Sequence, residues 1–284
     1  MNVRTNAIQL GTRRGWIEFK QSMRSAQDWG FNAFTVGAVL GYLFLRRNSE
    51  VEGTDLMVPA VSMPSILGAL IAFGVVVGPA YSLAMQREDG TLLRLKAIPN
   101  GLYGNVVGQL VLPGLGVFIT VALIVVPSVI LFDDVMNNGA TGWALLVGFT
   151  ILGLLATLPI GIVIGALVPS TQKVGTWGMM PIMILAGISG IFYPIQALWG
   201  WVQGLAQVFP MYWMGLGLRS AFLPDEAAAL EITESWRTLE TILVLGGWAA
   251  VGIAVTPMVL RRMARRTSGS QVEAAREQAL QWIR

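Results

Sequence analysis

Neither cysteine nor histidine occurs anywhere in the 284 residues. Without cysteine there is no disulfide framework, no thiolate nucleophile and no Cys-type metal site. Without histidine the commonest general base and metal ligand is gone, and with it the Ser-His-Asp and Cys-His constellations. Lysine is scarce: Lys20, Lys96 and Lys173 follow Phe19, Leu95 and Gln172. None therefore belongs to a P-loop, whose Gly-Lys-Ser/Thr lysine contacts the β/γ-phosphates. This chain does not hydrolyse ATP by that route, and it offers no catalytic or metal-binding residue. Charge is thin as well, at 12% of residues against about 25% in soluble domains. With 54% hydrophobic residues, this is a membrane composition. The first 28 residues are polar and show no signal-peptide pattern of an apolar core before a small-residue cleavage site.

What is present is a series of apolar runs long enough to span a bilayer, about 17–25 residues. They fall at 29–45, 61–85, 104–131, 143–167, 174–194 and 240–260, and their central portions lack Asp, Glu, Lys and Arg. An all-α membrane protein with six spans is expected. Trp29 opens the short first span as an interfacial anchor. Pro64, Pro79, Pro113 and Pro127 fall inside the second and third spans, where neighbouring helices can absorb a bend. Among the 33 glycines, Gly153, Gly161 and Gly165 are placed to let helices approach closely, the last two in small-xxx-small spacing.

Alternating loops divide the charge unevenly. Segments 1–28, 86–103, 168–173 and 261–284 hold fifteen of the nineteen Lys and Arg residues, and segments 46–60, 132–142 and 195–240 hold four. Acidic residues split six against ten. The positive-inside rule puts the basic set, and both termini, in the cytoplasm. The expected organisation is a cytoplasmic N-terminal segment 1–28, a transmembrane region 29–260, and a basic cytoplasmic tail 261–284.

The termini carry further patterns. Residues 13–28 read as an amphipathic helix with Trp16, Phe19, Met23 and Ala26 on one side and Arg14, Glu18, Arg24 and Asp28 on others. Arg13, Arg14, Lys20 and Arg24 can meet anionic headgroups; a solvated basic extension is the alternative. In the tail, Ser270 and Glu273 have capping-box spacing ahead of a short helix at 271–283, with Val272, Ala275, Ala279 and Trp282 on one side, facing a partner or the membrane. The outer segment 195–218 contains Trp199, Trp201, Phe209, Tyr212 and Trp213 and reads as a re-entrant or surface-lying helical pair. Pro224 to Glu240 is acidic and expected in solvent.

The densest charge lies at Arg87 to Pro99. Arg87, Glu88, Asp89, Arg94 and Lys96 stand between two long apolar blocks. Placing them in lipid would cost on the order of 15 kcal/mol, from about 2.5–3.5 kcal/mol each, so the island lies outside the hydrocarbon. Leu92, Leu95 and Ile98 nevertheless form an apolar stripe, which implies something to dock against.

Two segments carry a family resemblance. Arg87-Glu88-Asp89-Gly90-Thr91-Leu92-Leu93-Arg94-Leu95 with Pro99 resembles the Glu-x-Gly-Thr-Leu-x-x-Leu…Pro stretch after the second span of type-2 ABC transporter permeases. Ser189-Gly190-Ile191-Phe192-Tyr193-Pro194, then Phe209-Pro210-Met211-Tyr212 and Leu218-Arg219, resembles that family's stretch around the end of span five. The closest subgroup is the daunorubicin-resistance-like drug exporters; lipopolysaccharide and teichoic-acid exporters share the fold.

The resemblance implies six helices per subunit, an N-terminal interfacial helix, a cytoplasmic coupling helix between spans two and three, and re-entrant outer helices between five and six. It also implies partners: a separate ATPase subunit that holds ATP and Mg, in two copies, with a second permease copy as a homodimer. No cofactor resides in this chain and no nucleic acid is involved. Within island 87–99, residues 88–98 are expected to form the coupling helix. Asp89 near its start and Arg94 and Lys96 near its end suit the helix dipole; Gly90 allows close backbone approach, Leu92 and Leu95 supply the contact, and Glu88 belongs to the same ATPase-coupling set. Phe192, Tyr193, Phe209 and Pro210 are expected at an outer gate, or else in an interfacial aromatic belt. Polar positions inside spans, Asn32, Thr35, Gln109 and Thr120, are pathway candidates, or simply bond neighbouring helices.

The resulting expectation is the permease subunit of an ATP-driven exporter in the cytoplasmic membrane, contributing to multidrug efflux and antibiotic resistance. A pathway free of charge suits an amphipathic drug, natural product or lipid. The rivals are an ion-coupled secondary carrier, disfavoured by charge-free spans, and a non-transporting membrane scaffold.

Overall fold

A computed structural model describes residues 3–51, 56–132, 135–136, 138–168, 170–191 and 195–266. Among them there is no β-strand beyond one isolated bridge between Glu50 and Met57; the chain is an all-α membrane protein. Among the described residues, four helices are long and apolar enough to cross a bilayer: α3 (Val58–Glu88), α5 (Gly101–Leu131), α6 (Gly139–Leu167) and α11 (Thr238–Arg266). Helix α3 has 31 residues, about 46 Å at 1.5 Å per residue. That exceeds the roughly 30 Å hydrocarbon core, so one or both of its ends must emerge.

The expected N-terminal helix is displaced. Helix α1 runs Val3–Ser22, and Ser25 caps α2 (Ala26–Leu45) by accepting the Asp28 N–H at 3.2 Å. The 13–28 pattern therefore straddles a break. Its aromatic face is not the packed one, since Trp16 is 46% exposed. The packed face is glycine. Gly11 and Gly15 of α1 meet Gly104 and Gly108 of α5, where a Cβ on Gly15 would lie 2.6 Å from the Gly108 carbonyl oxygen. Two small-xxx-small faces thus bring two backbones together.

The core is built from α3, α6 and α10 (Pro210–Phe222), each packed on the other two, with α11 against α6 and α10. Gly165 of α6 lies so close to α3 that a Cβ would sit 2.7 Å from the Ala80 carbonyl oxygen, and Gly161 is equally tight against Val76. Helix α10 is buried at every position from Pro210 to Phe222. The outer pair is α9 (Gly200–Ala206) with α10, and α10 runs past residue 218 and lies inside the protein, not on its surface. Gly217 explains part of this, because a Cβ there would be 2.8 Å from the Phe149 ring. The acidic stretch after it is also not simply solvated. Ala227 and Ala228 are buried in a short 3-10 segment (Asp225–Leu230), and Glu231 is 4% exposed.

Between α6 and the outer pair, a single-turn α7 (Thr171–Lys173), a π-helical turn (Val174–Gly178) and α8 (Met179–Ile188) follow one another directly. The short helix expected at 271–283 lies outside the described residues.

Candidate functional site

The charged island divides at Gly90. Before it, α3 ends with Gln86, Arg87 and Glu88; Asp89 is the C-cap. Gly90 takes φ 77°, a left-handed conformation suited to glycine, and α4 (Thr91–Lys96) starts afresh. The expected helix over 88–98 is therefore a six-residue helix behind a sharp turn. Gly90 permits that turn; it is itself buried. Asp89 accepts the Thr91 N–H at 2.8 Å, a local brace that competes with helix continuation.

Each of the three residues before the turn holds a different part of the fold. Gln86 accepts from Asn105 Nδ2 of α5 at 2.7 Å, and Asn105 Oδ1 accepts from Arg14 of α1 at 3.2 Å. Arg87 donates to the last carbonyls of α6, to Val168 at 2.9 Å and Ala166 at 2.6 Å. Glu88 accepts the Thr171 N–H at 2.9 Å and its hydroxyl at 3.1 Å. Cation at a helix C-terminus and anion at a helix N-terminus is the arrangement the helix dipole favours. One end of α3 thus fastens α1 and α5 on one side and the α6–α7 junction on the other.

Beyond the turn, α4 has two faces. Leu92 is fully buried in the same core as α3 and α6, with Leu95 packed partly against it. This corrects the expectation that Leu92 meets a partner: it anchors α4 to its own chain. Glu88 likewise is spent internally. Exposed are Asp89, Arg94, Lys96 and Ile98, the last at 54%. The island is a small knob with a polar and apolar outer face, mounted on the end of a buried 31-residue helix.

At the outer segment, Phe209 is half-buried and stacks on Trp248 of α11, with ring centroids 6.3 Å apart. Pro210 is buried at the start of α10. Phe192 and Tyr193 lie outside the described residues. Nearby is a buried ion pair that sequence reasoning missed: Arg219 Nε donates to Glu231 Oε1 at 2.5 Å, both side chains being about 5% exposed. Its only sequence signal was an arginine directly after the apolar run 195–218 and an acidic residue downstream.

Of the pathway candidates, Asn32 and Thr120 come together, Thr120 Oγ1 donating to Asn32 Oδ1 at 3.2 Å across α2 and α5. Thr35 is half-buried on α2. Gln109 lies buried on α5, and neither end of its amide has a partner among the described residues. The four do not form one cluster of bonds. No group of His, Cys, Asp or Glu able to hold a metal occurs among the described residues.

Residues 6–223 match the ABC-2 type transporter family. The match spans α1 to α10 and includes the knob, its mount and the buried arginine. The chain belongs to the ABC-2 type transporter family. Members are the membrane permease component of ABC transporters, and such permeases generally work with an ABC ATPase subunit. This ABC-2 chain is accordingly a multi-pass membrane transporter subunit. No curated protein matches it.

Proposed function

We propose that this chain is the permease of an ATP-driven exporter of amphipathic drugs, natural products or lipids, of the daunorubicin-resistance-like kind. It works as a homodimer with two ATPase subunits, which hold the ATP and Mg. Both termini face the cytoplasm, in keeping with the basic bias of their loops. Six crossings result if α2, about 30 Å long by its 20 residues, and the α7–α8 run serve as the first and fifth.

The observation that carries the reading is the knob at 89–98. Its exposed face is chemically suited to a protein groove, and its other face is locked into the transmembrane core. A push on α4 reaches α3 through Leu92 and the turn at Gly90. Through Gln86, Arg87 and Glu88 it reaches α1, α5, α6 and α7 at once. Closure of the ATPase pair would move these helices as a unit, and ATP shifts the balance only through its differential affinity for the two states. Proteoliposomes containing this chain and its ATPase should extrude an amphipathic dye on ATP addition. Extrusion that persists without ATP and collapses with an ion gradient would refute it.

A further inference from the structure

A cavity of about 360 Å3 lies between the α4–α5 turn and α11. It falls in the size range of small-ligand sites. Ile98, Tyr103, Pro257 and Leu260 give it an apolar wall; Lys96 borders it from α4 and Arg261 from α11, and among the described residues no carboxylate lines it. An open hollow on the surface of α11 shares Arg261 and adds Arg262 and Arg265, so the positive charge extends along the end of α11. Pro257 has no N–H to give the α11 ladder, which places a backbone interruption at the level of the cavity. Lys96 already interacts within the fold, and its ammonium carries three donors.

We infer that this cavity binds an anionic phospholipid of the adjoining leaflet, its phosphate between Arg261 and Lys96 and an acyl chain along Leu260, Pro257 and Tyr103. The charge is complementary: basic pockets between membrane helices on the cytoplasmic side suit anionic headgroups. The split between an apolar wall and a basic lip matches an amphiphile and not a free anion. The lipid would tie α4 to the last span, so the seating of the knob would depend on headgroup charge. Only the choice of leaflet rests on the proposed orientation; binding is a property of this chain alone and is tested without ATPase or transport.

The test is native mass spectrometry and thermal unfolding of the purified full-length chain with phosphatidylglycerol, phosphatidylcholine or inorganic phosphate. Phosphatidylglycerol alone should be retained and raise the Tm. The double variant K96Q/R261Q should hold it about 30-fold more weakly, as expected for two cations near an anionic headgroup, while keeping the wild-type Tm in phosphatidylcholine. The variant R46Q/R47Q, at the other end of the bundle, should bind normally. Equal retention by K96Q/R261Q, an equal shift with phosphatidylcholine, or a shift from inorganic phosphate alone would overturn the assignment. So would complete disulfide formation between Tyr103→Cys and Trp282→Cys in this otherwise cysteine-free chain, which would put its own tail in the cavity.

Discussion

The two sides of Gly90 are made of the same kinds of residue and have opposite fates. Arg87 and Glu88 carry unlike charges and turn inward, each onto the end of another helix. Arg94 and Lys96, four and six residues beyond Gly90, face out. Beyond the turn the apolar residues also divide: Leu92 is fully buried, whereas Ile98 is 54% exposed. Charge and hydropathy alone do not separate mount from knob. The turn at Gly90 does, because it resets which face of the following helix meets the core. The proposed coupling uses both parts, one joined to the long helices and one exposed to a partner.

That contrast can be broken from the inside or from the outside. Leu92→Asp has the largest expected effect: an unpaired carboxylate in the core costs several kcal/mol, and the purified yield and Tm should both collapse. Arg87→Ala comes next. It strips the donors from the α6 carbonyls and should lower stability by about 2 kcal/mol, read as a Tm drop with the partner still bound. Glu88→Ala should cost about 1–2 kcal/mol and loosen the α6–α7 junction, visible as faster amide exchange at Thr171. Arg94→Ala and Ile98→Ser should change stability by less than about 0.5 kcal/mol, as exposed positions do, yet weaken stimulation of the ATPase. If Arg94→Ala destabilised the chain as much as Arg87→Ala, the distinction between mount and knob would be lost.

Much of the architecture is legible in composition and periodicity. Four of the six charge-free runs mark the long helices α3, α5, α6 and α11, and Gly161 and Gly165 stand out by spacing. What stays hidden is which surfaces meet. The Gly11–Gly15 face of α1 looks like a gap in an amphipathic helix until Gly104 and Gly108 are placed opposite it, and the aromatic stripe through Trp16 points the wrong way. Leu92 could be read as a docking residue because the sequence does not reveal the angle of the turn. The Arg219–Glu231 pair joins α10 to a stretch that its acidity suggested was solvated. In water-poor surroundings such a pair holds only because both charges are matched, and removing one partner should cost about 3–5 kcal/mol.

The central claim is that the outer face of α4 passes ATP-driven motion into the end of α3. The most direct measurement is the ATPase rate of the reconstituted complex carrying Arg94→Ala with Ile98→Ser, compared with wild type at equal subunit occupancy. The account predicts an intact, wild-type-stable permease in which ATP hydrolysis no longer responds to cargo and no cargo is moved. Normal cargo stimulation and normal export in that double variant would contradict it.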